Sequence, residues 1–159
     1  PGGAKMEESA KGGNPKAFDF PLAFPEKDEL KFSFSGLKTS LFYKLNKWTE
    51  SEVELNKSDL SASYQKAVVD QLVRKTRQVI STNSFKSFGL SGGVANNELI
   101  RDEFGKLCQD KELKFLPAEK RHTGDNAAMI AFAAISQPSG MVDNAEQSLS
   151  FLPSLCIDH

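Results

Sequence analysis

Apolar and polar residues alternate strictly over Leu30-Lys31-Phe32-Ser33-Phe34-Ser35, which predicts a half-buried strand ended by Gly36. The period then lengthens. Leu37, Leu41, Leu45 and Trp48 recur at helical spacing and predict a helix over 36–48 with one apolar stripe. Residues 49–59 hold Glu50, Glu52, Glu54 and Asp59 against a single base, Lys57, and read as a solvated connector or acidic rim. Ser61 then caps a long helix over 62–81, with Tyr64, Val68, Leu72, Val79 and Ile80 on its buried side. Ahead of these elements, 5–11 reads as a short helix stopped by Gly12-Gly13-Asn14-Pro15. The prolines and aromatics of 15–29 (Phe18, Phe20, Phe24) suggest an extended segment laid over a core.

Downstream the pattern changes to strand, turn, helix, strand. Residues 85–90 and 113–116 read as short strands, Ser91-Gly92-Gly93 as a tight turn, and 94–109 as a helix carrying Leu99, Phe104 and Cys108. Such a βαβ unit makes the two strands parallel, joined by a right-handed crossover. A loop over 117–124 precedes a nearly all-apolar helix that Asp125 opens and Pro138-Ser139-Gly140 ends. The tail over 139–159 is weakly patterned. The fold class expected is α/β.

Composition narrows the classes without naming a chemistry. The 159 residues carry a net charge of −1, so no global cationic field advertises nucleic acid. Twelve phenylalanines help fill a core. No apolar run approaches the roughly 18–20 residues of a bilayer span, so no membrane association is expected. The chain opens on Pro1-Gly2-Gly3 with no Met, which reads as an internal segment of a longer polypeptide. Cys108 and Cys156 lie too far apart for a zinc knuckle or a redox dithiol and read as reduced thiols.

Four junctions could carry chemistry. Ser91-Gly92-Gly93 is either a plain tight turn or a place where backbone approaches an anion, most naturally a phosphate, at a helix N-terminus. Asp125 in Gly124-Asp125-Asn126 is either an N-cap or a metal or nucleotide contact, and one carboxylate alone cannot hold a divalent ion. His122, in a basic loop beside Lys120 and Arg121, reads as solvated; His159 is terminal, and no HxxxH or HExxH pair occurs. Lys38, in the first turn after the 30–35 strand, is either an exposed helix residue or part of a ligand wall. Lys66, Arg74, Lys75, Arg77 and Lys86 form either a solvated face or a local patch for RNA phosphates.

Taken in order, Pro1-Gly2-Gly3, the block Phe32-Ser33-Phe34-Ser35-Gly36-Leu37-Lys38-Thr39, then Gly92-Gly93-Val94-Ala95-Asn96-Asn97, then Gly124-Asp125-Asn126-Ala127-Ala128-Met129-Ile130-Ala131 resemble the TsaD family. These are tRNA threonylcarbamoyladenosine transferases, and the four blocks span residues 1 to about 135. The resemblance implies a two-lobed, actin-like ATPase fold of the sugar-kinase and Hsp70 kind, a mixed sheet flanked by helices. The implied activity moves a threonylcarbamoyl group from threonylcarbamoyl-adenylate to N6 of the adenosine 3′ of the anticodon in tRNAs that read ANN codons.

By the same resemblance, Gly3 and Asn97 contact the nucleotide, Glu7 meets its ribose, Gly92 and Gly93 border the adenylate phosphate, and Asp125 is a metal ligand for one divalent ion of iron or zinc type. No side chain is nominated as catalytic. The family's HxxxH histidines, and an aspartate before its Pro-Gly-Gly turn, have no counterpart here, and Asn96 stands where Ala is commoner. Residues 1–159 therefore read as a carboxy-terminal lobe that is inactive without its amino-terminal half. The partners implied are tRNA, the adenylate, the absent lobe and a second copy in a homodimer, in the mitochondrion or alternatively the bacterial cytoplasm. The rival readings are another ATPase or kinase of the same superfold, or a non-catalytic nucleotide-binding lobe.

Overall fold

The computed structural model describes residues 2–24, 29–124 and 127–137. They fall into two compact units, divided after Gly124. The first contains helices α1 (Gly2–Ala10), α2 (Ser35–Leu45), α3 (Glu50–Thr82) and α4 (Glu98–Asp110), with strands β1 (Ser87–Leu90) and β2 (Lys114–Pro117). The second contributes α5 (Ala127–Ser136). The α/β class is present. Among the described residues the sheet has two parallel strands, in register Ser87↔Lys114 to Leu90↔Pro117, rather than the broader mixed sheet expected. None of the described helices is long and apolar enough to cross a membrane. Asp125, Cys156, His159 and the 139–159 tail lie outside the described residues.

The longest element departs most from its expected form. Residues 49–59 are not a connector: α3 runs unbroken for 33 residues from Glu50. Its true cap is Thr49, not Ser61. The Glu52 N–H donates to Thr49 Oγ1 at 3.3 Å, and the Thr49 N–H donates to the Glu52 carboxylate at 2.8 Å. This reciprocal box satisfies two helix-end donors, and the acids of the first turn, Glu50 and Glu52, suit the positive end of the dipole.

Around α3 the chain packs in two ways. On one side Val69 joins Ile100, Phe104 and Leu107 of α4 in a closed core, with Leu72, Val73, Ile80, Phe88 and Phe115 packed against it. Phe88 stacks on Phe104 with centroids 4.9 Å apart. Each fully buried side chain of this kind contributes about 1.5–3 kcal/mol. On the other side lies the segment between α1 and α2, which has no strand to pair with among the described residues. Side chains of α3 satisfy its backbone instead. Asp59 accepts from the Asn14 N–H, Ser63 bonds Asn14 and Phe18, Arg74 donates to the Ala23 and Phe24 carbonyls, and Lys75 donates to the Glu29 carbonyl.

This second packing explains two further departures. Residues 30–34 are irregular rather than a strand; Phe32 and Phe34 do lie on one side with stacked rings, but Gln71 Nε2, not a neighbouring strand, bonds the Ser33 carbonyl. Three members of the basic set around α3 are engaged by the protein's own groups, while Arg77 and Lys86 are exposed. Arg74 and Lys75 turn inward to backbone carbonyls, and Lys66 pairs with Asp70 at 2.7 Å. A buried cation is tolerated where it is hydrogen-bonded, and the long stem of Lys75 reaches that far while the residue is only 2% exposed.

Candidate functional site

The βαβ unit sets its glycine pair between β1 and α4. Gly92 has φ 91°, the left-handed region that favours glycine. A short 3₁₀ turn, Gly93–Asn96, then delivers the chain to Asn97, the N-cap of α4. The α4 helix therefore begins four residues later than its apolar pattern suggests. Asn97 does two jobs: its Oδ1 accepts the Ile100 N–H at 3.0 Å, and its Nδ2 donates to Gln65 Oε1 on α3 at 3.1 Å.

Helix α1 closes the other side. From Glu7 a carboxylate oxygen accepts the Glu98 N–H at 2.8 Å, a bond spanning 91 residues of sequence. It places a negative group at the positive end of α4, where it stabilises the helix. Between the two walls is a cavity of about 600 Å³ lined by Gly3, Ala4, Met6 and Glu7 of α1, Gln65, Val68 and Val69 of α3, and Gly93, Val94, Asn96, Asn97 and Ile100 of the glycine turn and α4. That volume is in the range of small-molecule sites. Apolar side chains form much of its wall, polar amides and glycine backbone the rest, and among the described residues Glu7 is its one charged lining residue. Such a lining suits a flat heterocycle carrying polar substituents.

Four of the six residues singled out in the sequence, Gly3, Glu7, Gly93 and Asn97, thus line one cavity. Gly92 shapes the turn but is not among the lining residues. Asp125 lies outside the described residues. The expected phosphate seat at the α4 N-terminus is partly occupied by the protein itself, since Glu7 takes the Glu98 N–H and Asn97 the Ile100 N–H. Lys38 does not reach this cavity; it lines a neighbouring groove. Among the described residues no three His, Cys, Asp or Glu side chains come together as a metal site. Cys108 is fully buried, and desolvation pushes its thiol up from its ordinary range, away from nucleophilic use.

Two contributors carry no motif in the sequence. Gln65 orients Asn97 from α3. Arg101 fastens the turn to the loop after β2, donating from Nε to the Ala95 carbonyl at 2.5 Å and from Nη2 to the Ala118 carbonyl at 2.7 Å. A signal for Arg101 is nonetheless there: a cation near the start of a helix opposes the dipole, so it needs another reason to be there.

Residues 1–132 match the TsaD family, described as tRNA N6-adenosine threonylcarbamoyltransferase. A protein of that name from Clostridium botulinum is 40% identical over 134 residues, 84% of this chain and 39% of its own length. One from Moorella thermoacetica is 40% identical over 156 residues, 98% of this chain and 45% of its own. One from Thermosipho africanus is 34% identical over 157 residues, covering 99% and 47%. The chain spans less than half the length of these curated relatives.

Proposed function

The chain belongs to the TsaD family, and on that premise we propose that it is the carboxy-terminal lobe of a tRNA-modifying transferase with an actin-like ATPase fold. The transferase moves threonylcarbamoyl from threonylcarbamoyl-adenylate to N6 of the adenosine 3′ of the anticodon. One observation carries the reading: Gly3 and Glu7 meet Gly93 and Asn97 around a single cavity of about 600 Å³, although some ninety residues separate the two motifs.

In this reading the cavity takes the adenosine moiety of the adenylate. Met6, Val69 and Ile100 cover the base, and Asn97 and the Gly93 backbone meet the polar edge of the nucleotide. Glu7 accepts from a ribose hydroxyl while holding the Glu98 N–H. The N6 amine attacks the carbamoyl carbonyl carbon, the new N–C bond forms, the acyl C–O bond to phosphate breaks, and AMP leaves as the amine gives up a proton. No side-chain nucleophile is required, so positioning and charge stabilisation carry the catalysis.

Asp125 is this chain's one proposed ligand for a divalent ion of iron or zinc type. A single carboxylate does not hold such an ion, so the remaining ligands belong to the part of the enzyme outside this chain. The named relatives are bacterial, which favours a bacterial cytoplasmic enzyme over the mitochondrial type, and the enzyme works as a homodimer.

A transferase assay tests the reading, using tRNA, threonylcarbamoyl-adenylate, and this chain either alone or mixed with the stretch of the Moorella thermoacetica relative outside its match, expressed separately. Transfer is expected only from the mixture. Transfer by the chain alone, or AMP binding indifferent to Gly93→Val, overturns it.

A further inference from the structure

The chain as a whole carries a net charge of −1, but its charge is unevenly spread. From Leu30 to Thr49 it has Lys31, Lys38, Lys44 and Lys47 and no acid. Lys31 pairs with Glu29, and Lys44 lies over the Phe18 and Phe20 rings, 5.6 and 5.9 Å from their centroids. Lys38 and Lys47 are exposed, and neither joins an ion pair among the described residues. Between them on α2 stand Phe42 and Tyr43, each 60% exposed, with their rings in edge contact and centroids 5.9 Å apart. Lys38 precedes Phe42 by one turn on the same helix face, and Lys47 follows Tyr43 just beyond the helix end. This patch borders the nucleotide cavity. Lys38 lines the neighbouring groove, which shares Val68, Val94 and Ile100 with that cavity.

We infer that the outer face of α2 binds unpaired nucleotides of the tRNA, with Phe42 and Tyr43 stacking on bases while Lys38 and Lys47 meet phosphates. The inference rests on reading the chain as part of a tRNA-modifying enzyme, and it names a surface that receives the substrate. The base to be modified lies 3′ of the anticodon, in a loop whose unpaired bases can splay onto aromatic side chains. Surfaces that hold single-stranded nucleotides combine aromatic platforms with cations that track the backbone. Charge decides against other occupants. An apolar protein surface would leave both lysines without partners, and a second copy of the same face would set them against two more cations. None of the four residues lines the cavity, so the patch is separable from nucleotide binding.

The test measures binding of this chain to a fluorescent RNA hairpin, the anticodon stem and loop of a tRNA reading an ANN codon, and to the same stem as a loopless duplex. The hairpin is expected to bind more tightly. Phe42→Ala and Tyr43→Ala, at exposed positions, should each weaken hairpin binding about tenfold and duplex binding little. Lys47→Gln should weaken both alike and lower the slope of log affinity against log salt by roughly 0.7–1. AMP affinity, read by calorimetry, should be the same in all three variants as in the wild type. No hairpin binding, hairpin binding indifferent to both aromatic substitutions, or equal losses on hairpin and duplex overturns the inference. Self-association or adsorption to anionic lipid vesicles that the aromatic variants abolish, while hairpin binding persists, assigns the face to a second copy or a membrane and equally overturns it. Hairpin binding with the expected losses, beside a reconstituted mixture that transfers no threonylcarbamoyl, leaves the surface intact and counts against the functional reading.

Discussion

Gly12-Gly13 and Gly92-Gly93 are both glycine pairs at helix ends, and they differ in what a side chain would meet. A methyl group on Gly13 would lie 2.2 Å from the Ser58 carbonyl oxygen and 2.5 Å from its carbon. Those atoms are backbone of α3 and cannot rotate aside. On Gly93 the same group would meet no described atom within 4 Å. Gly13 is therefore a requirement of packing, letting the chain after α1 press against α3. Gly93 is not required by any contact among the described residues. A side chain there would project into the cavity proposed to take the nucleotide. The comparison separates a glycine the fold needs from one that no described contact requires.

The sharpest way to break this comparison is Gly13→Ala. With no flexible atom to give way, α1 and α3 must separate, and unfolding free energy is expected to fall by about 2–3 kcal/mol, read from urea denaturation. A loss below about 0.5 kcal/mol would mean the close approach is not needed. Second is Lys75→Met, which keeps much of the buried volume but leaves the Glu29 carbonyl without its charged donor. About 2 kcal/mol is expected to be lost. Lys86→Met, at an exposed position of the same basic set, should change stability by less than about 0.5 kcal/mol. Equal effects would return both residues to one solvated face. Third, Gly93→Ala should leave stability unchanged or raise it by up to about 1 kcal/mol, while calorimetry shows AMP affinity reduced about tenfold. Normal AMP binding by that variant would leave Gly93 with neither a packing role nor a ligand to explain it.

How much of this could be read along the chain depends on how far each cause reaches. The βαβ unit is a local matter, since alternation, glycine turn and helical period fall within thirty-odd residues, and its parallel pairing followed. The glycine pair of the turn was legible for the same reason, while Asn97 was nominated through the resemblance. Glu7 could be nominated only by resemblance, because its partner, the Glu98 N–H, is brought to it by tertiary packing. Residues 30–34 show the limit of periodicity: alternation reports an extended chain with two faces, not whether another strand lies beside it. Arg74 and Lys75 show the limit of charge, since a formal charge says nothing of whether a long stem carries it inward to a carbonyl. The start of α3 is different. Thr49 and Glu52 stand at capping-box spacing, so that signal was present and was outweighed by the acidic run behind it.

That cap supplies the smallest effect and a clean sign. Glu52 titrates below the ordinary glutamate range because the Thr49 backbone N–H, and then its hydroxyl, donate to the ionised carboxylate. A carboxyl whose pKa is lowered by folding binds protons more weakly folded than unfolded. Its contribution is therefore present above the ordinary glutamate range and is lost as pH falls through the depressed folded value. Thr49→Ala should cost about 1 kcal/mol at neutral pH, and the deficit should shrink as the buffer is taken below pH ~4, where the wild-type carboxylate also becomes protonated. Denaturation of both proteins across that range reads the difference directly. A deficit that stays constant with pH would mean that the Thr49 hydroxyl does not donate to the Glu52 carboxylate, since the backbone N–H bond to Glu52 is kept in the variant and cancels in the difference. Because Asp59 and Ser58, further along α3, hold the chain around Gly13, fraying from Thr49 should reach the α1 contact before it reaches the cavity. Hydrogen exchange at Asn14, whose N–H is bound by Asp59, should then rise in Thr49→Ala while exchange at Ile100, capped by Asn97, does not.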